Sequence, residues 1–135
     1  MPSGRWQEVR ILTSVQTKVC VDGSLMKEYV LDTPLTEDFL KFLENFGTVR
    51  FLEQLKKPYF SFEKDLFISI KGFVGDNNVE VRYKKEFQDL VGDYFHLLLY
   101  YYDQGDRGIS TLKGQEDSIR ERMKIRLRPL PGNDA

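Results

Sequence analysis

The chain is short of the residues from which most catalytic and metal sites are built. Its 135 residues include one cysteine, Cys20, and one histidine, His96. A lone cysteine excludes an intrachain disulfide and any multi-cysteine metal site. Set among bulky apolar neighbours, such a thiol reads as a small core residue. Net charge is almost absent as well, with 20 basic against 21 acidic residues and a balance of −1. No global field therefore draws the chain toward nucleic acid or an anionic membrane, and any such attraction must come from a local cluster. Long apolar runs are missing too. The longest block, Tyr94–Tyr102, would span only about 13–14 Å as a helix, under half of what crossing a bilayer needs. Met1-Pro2-Ser3-Gly4-Arg5-Trp6 lacks the apolar stretch of a signal peptide. The expectation is a soluble, cytoplasmic chain with no membrane contact.

Aromatic residues are plentiful: ten Phe, seven Tyr and Trp6. With 41% hydrophobic and 30% charged residues the composition is that of a globular domain. The length suits one domain with a bulky core. We place that domain at 1–128 and expect a flexible tail at 129–135, where Pro129 and Pro131 break any regular pattern.

Glu8 to Asp32 reads as extended, and Asp22-Gly23 between two β-prone runs signals a hairpin. Thr36 is placed to cap a helix whose apolar stripe is Phe39, Leu40, Leu43 and Phe46, with Gly47 as terminator. Residues 48–57 suit either a short helix or a strand, and Pro58 closes the segment. Tyr59 to Lys85 returns to alternation, with Phe60 and Phe62 on one face, Leu66, Ile68 and Ile70 sharing another, and Val79, Val81 and Tyr83 a third. Gly75-Asp76-Asn77-Asn78 forms the last turn. A long helix from about Glu86 to Tyr102 follows, and Asp103-Gln104-Gly105-Asp106-Arg107-Gly108 reads as a loop. This order predicts an α+β fold: an antiparallel sheet built from hairpins, with two main helices packed on one face as a two-layer sandwich.

No catalytic constellation accompanies these elements. His96 has Asp93 and Tyr100 as helical neighbours, and two residues do not make a metal or triad site. A half-buried histidine bonded to a carboxylate or carbonyl explains it. Gly105 and Gly108 match neither a dinucleotide fingerprint nor a phosphate loop, and the aspartates around them lack calcium-loop spacing. No catalytic residue, metal or cofactor is assigned, and the chain reads as a non-catalytic interaction module.

Two segments carry the functional expectations. The helix through Tyr94–Tyr102 is apolar on every side, so it must be covered on every side. A chain this short points to a second subunit for that cover. The expected contact is Tyr94, Phe95, Leu98, Leu99, Tyr101 and Tyr102, in a homo-oligomer with a dimer favoured. In the second segment every even position from 120 to 128 is basic. Read as a strand throughout, the segment sets Arg120, Arg122, Lys124, Arg126 and Arg128 in a row at roughly 6.6 Å spacing, and Met123–Arg128 is the stretch for which a strand is favoured, after a helical turn. Binding of nucleic acid or another polyanion is the less favoured alternative for that row, since a charged edge or solvated face explains it as well. Ser118-x-x-Glu121 competes as a helix start. A third alternative is a small-molecule site between sheet and helix, with His96 or Cys20 as its polar element.

Overall fold

A computed structural model describes residues 9–54, 56–64 and 67–127. It holds a single antiparallel sheet of six strands in the order β1-β2-β6-β5-β4-β3. β1 (Ile11–Val19) and β2 (Leu25–Leu31) form the expected hairpin. Gly23 sits in its turn at φ 87, a conformation open to glycine without strain. The Asp22 side chain accepts bonds from the Ser24 backbone and hydroxyl, at 3.0 and 2.6 Å.

From β2 the chain crosses to the far edge through α1 (Glu37–Leu43). Thr36 caps this helix as expected, its hydroxyl accepting from the Phe39 amide at 3.3 Å, and Phe39, Leu40, Leu43 and Phe46 are all buried. Of the ambiguous segment, Thr48–Leu52 is a strand, β3. Gly47 ends nothing by a positive φ. A Cβ there would meet the Phe62 ring at 2.8 Å, so its function is close approach to the neighbouring strand. β4 (Tyr59–Lys64), β5 (Ile68–Phe73) and β6 (Asn78–Tyr83) then return across the sheet to β2. Leu66 lies outside the described residues.

Alternation divides the sheet cleanly. Tyr29, Leu31, Phe60, Phe62, Ile68, Ile70, Val79 and Val81 form the buried face. Glu28, Lys71 and Glu80 meet across strands on the other, open one. On the buried face lie α1 and α2 (Gln88–Tyr102), the latter entered through a 3-10 turn at Lys85–Phe87. Ring contacts tie the layers together: Tyr29 to Phe95 at 4.5 Å, and Phe39 and Phe42 to Tyr102 at 5.0 and 5.3 Å. The fold is the expected α+β two-layer sandwich.

The C-terminal third departs from expectation. Gly105 is not the middle of a loop but the first residue of α3 (Gly105–Leu127), and neither a strand nor a sheet pairing occurs over 123–127. Asp103 and Gln104 suffice to turn the chain, because Gly105 takes φ 62. α3 then lies against α2. Gly108, Leu112, Glu116, Ile119 and Met123 recur every three or four residues along its covered stripe, the spacing of one helix face. Among the described residues no helix is long and apolar enough to cross a membrane.

Candidate functional site

The expected uncovered face of α2 is not there, because the chain covers it itself, α3 on the side of Tyr94 and Tyr101 and the sheet and α1 on the other. Tyr94, Phe95 and Leu98 are wholly inaccessible, and Leu99 and Tyr102 nearly so. Tyr101 is half-buried, and its hydroxyl accepts a bond from Gln115 of α3 at 3.1 Å. Phe95 packs instead on Tyr29 of β2, and Tyr102 on Phe39 and Phe42 of α1, so the chain itself occupies both sides of α2. What the periodicity pattern could not reveal is that the cover was already encoded twenty residues downstream, in a segment whose glycines and charges mask its apolar stripe.

The basic row is also rearranged. On a helix, alternate residues lie about 200° apart, so positions 120 and 124 share a flank that 122 does not. Arg120 lies 3.8 Å from Asp117 and Lys124 3.5 Å from Glu121, exposed pairs of little energetic weight. Arg126 falls within α3, and Arg128 lies outside the described residues. The row at strand spacing therefore does not form.

One polar cluster is buried. Glu116 of α3 takes the Tyr94 hydroxyl at 2.8 Å and the Lys64 ammonium at 2.6 Å, and Lys64 also donates to the Phe46 carbonyl at 2.7 Å. Burial, reinforced by the Glu116 charge, raises the Tyr94 hydroxyl far above the ordinary tyrosine range. Each group here is engaged by another, which marks the cluster as a latch for α3 and leaves no group to receive a ligand.

A cleft of about 540 Å³ opens between the start of β1 and the corner where α2 meets α3. Arg10 reaches it from the sheet, and His96, Tyr100 and Asp103 from α2. Those three occupy i, i+4 and i+7 of the helix, one flank by geometry. Arg107 reaches it from the first turn of α3. The sheet side is pinned: the Arg10 amide donates to the Asp32 carboxylate at 2.8 Å, and its carbonyl accepts from the Asp32 amide at 2.9 Å. The helix side is braced by Gln104, whose side chain donates to the Tyr100 carbonyl at 3.3 Å. Tyr100 itself is exposed, its ring edge-on to Tyr101 at 4.9 Å. Ile11 and Leu99 supply an apolar wall. Two arginines and one aspartate line it, so the formal charge of the lining is positive.

His96 is thus an exposed cleft residue, and not the half-buried histidine its apolar neighbours suggest. Cys20 is elsewhere, in the β1–β2 turn, its amide donating to the Ser24 carbonyl at 2.7 Å. Sequence pattern missed Arg10 and Arg107, because isolated arginines carry no signal until the fold brings them together. Among the described residues no group of three His, Cys, Asp or Glu side chains is placed to hold a metal ion. No protein-family model, curated protein or solved structure matches this chain.

Proposed function

We propose that the chain is a binding module for a small organic anion, taken up in the cleft between β1 and the α2–α3 corner. The observation that carries this reading is the convergence of Arg10, Arg107, His96 and the exposed Tyr100 ring on one cleft of about 540 Å³. Its volume falls in the range of small-molecule sites, which pair an apolar wall with a few placed polar groups. The two smaller depressions near the open sheet face, about 300 and 310 Å³, mix charges of both signs on exposed strands.

In this reading a carboxylate or phosphate meets the guanidinium groups, whose planar forks suit either anion. The body of the ligand rests on Leu99 and the Tyr100 ring, and His96 contributes one directional hydrogen bond. Asp103, the one acidic wall residue, disfavours ligands of high negative charge by repulsion.

A thermal-melt panel of aliphatic carboxylates, aromatic carboxylates and organic phosphates tests the proposal. A ligand at about a hundred times its Kd stabilises the folded state by roughly 2.7 kcal/mol, a shift of several degrees in Tm. The shift should shrink with added salt and vanish in Arg10→Glu and Arg107→Glu. A flat panel, or a shift that survives both charge reversals, rules the cleft out as an anion site.

A further inference from the structure

We infer that the cleft takes up its anion together with a proton on His96, so that binding strengthens as the medium turns acid. The inference rests on the anion reading of the cleft and adds the group that regulates it. His96 is the only histidine of the chain, and imidazole is the side chain whose charge ordinarily changes between about pH 5 and 8. Buried histidines spend their ring nitrogens on neighbouring groups. This one is exposed and lines the cleft. Among the described residues nothing hydrogen-bonds to its ring or forms an ion pair with it. Its nitrogens are left to solvent or to a ligand.

The charged and titratable groups around the ring come from three elements. On α2, Tyr100 and Asp103 line the same cleft, and the exposed Asp93 lies three residues before His96. Arg10 lines it from just ahead of β1, and Arg107 from α3. The Asp32 carboxylate accepts from the Arg10 amide at 2.8 Å and is not part of the lining. Carboxylates, phenols and guanidinium groups ordinarily keep one charge state between about pH 5 and 8, so the imidazole is the variable member of the wall. With the ring neutral, the anion has two guanidinium groups and one neutral donor within the cleft. A proton taken from solvent makes both ring nitrogens donors and turns the bond to the anion into a charge-assisted one, roughly twice as strong. The anion in turn favours the charged ring. The coupling is reciprocal: the bound anion draws a proton, and the proton holds the anion. The added affinity is present while the ring of the complex is charged and is lost as rising pH removes that proton.

Isothermal calorimetry of the full chain tests this with benzoate and with diethyl phosphate, which each keep a single negative charge over the range. Measured at constant ionic strength at about pH 5.5 and about pH 8, binding is expected to be at least about fivefold tighter at the lower pH. Between those values, two buffers of different ionisation enthalpy should reveal net uptake of protons on binding. His96→Gln should abolish both the pH ratio and the proton uptake. The side chain is exposed, so the circular dichroism of this variant should match that of the parent chain. Equal affinities at the two pH values, or a ratio that survives His96→Gln, overturn the inference and leave the anion cleft standing. No saturable binding of either anion at either pH overturns the cleft reading and this inference with it.

Discussion

Gly108 and Gly114 lie on the same helix and ask opposite things of a methyl group. A Cβ at Gly108 would run into the Tyr101 carbonyl of α2, and the atom it meets is backbone that cannot swing aside. A Cβ at Gly114 meets nothing within 4 Å. Glycine in a helix interior ordinarily costs about 1 kcal/mol relative to alanine. Gly114→Ala should therefore stabilise the protein by about 0.5–1 kcal/mol. Gly108→Ala should instead destabilise it by about 2 kcal/mol or more, because overpacking exceeds the propensity gain. Urea unfolding of the two variants reads both signs, and a stabilised Gly108→Ala would mean that α3 does not approach α2 this closely. In sequence the two glycines are indistinguishable, and both argue against a helix.

α3 is the element on which the rest of the chain's logic turns. Its apolar stripe is thin, with only Leu112 and Ile119 as buried large hydrophobic residues along it, so polar contacts contribute more than usual to its attachment. Lys64 at the end of β4 and Glu116 of α3 make an ion pair whose side chains keep 12% and 11% exposure. Removing one partner of such a pair leaves the other charge desolvated and alone, a cost of about 3 kcal/mol at this residual exposure. Lys64→Met should therefore lower stability by about that much, and Glu116→Leu likewise. The double substitution should recover more than half of the combined loss, since no charge then remains unpaired. Denaturant titration of the four-protein cycle measures this. Strict additivity would mean that the pair does not latch α3.

At the scale of the whole molecule, the aromatic core makes folding sensitive to base. Tyr29, Tyr59, Tyr83, Tyr94 and Tyr102 all have their hydroxyl pKa raised, in each case first by burial. In the unfolded chain these groups ionise near the ordinary value of 10.0. Below that pH both states hold the protons and the tyrosines make no pH-dependent contribution. Above it the unfolded state loses protons that the folded state keeps, so stability falls as pH rises. Urea unfolding at successive pH values should show a decline that begins near pH 10.0 and steepens beyond it. The tyrosinate absorbance of the folded protein should lag that of the urea-unfolded chain, and Tyr94→Phe should reduce the lag. Coincident titration curves would contradict the burial of these hydroxyls.

Local chemistry determined more of this molecule than its low motif content suggests. The Asp22-Gly23 turn, the Thr36 cap, the alternation through β4, β5 and β6 and the helix to Tyr102 are each legible from a few neighbouring residues. Turn dihedrals, caps and pleat alternation are settled within a few positions. All-round apolarity of Tyr94–Tyr102 correctly demanded cover. Which atoms would provide it was a tertiary decision, because α3's stripe of Gly108, Leu112, Glu116, Ile119 and Met123 is apolar enough only when α2 and Lys64 stand opposite. Residues 48–52 are open in sequence for the same reason: Val49 and Phe51 suit either period until β4 offers a ladder. The cleft lies wholly on the tertiary side. Arg10, His96 and Arg107 are far apart along the chain, and only the sheet pairing at Asp32 and the left-handed turn at Gly105 bring their side chains to one wall. Backbone preference is local and speaks through sequence, whereas burial and convergence depend on what lies opposite and are decided by the fold.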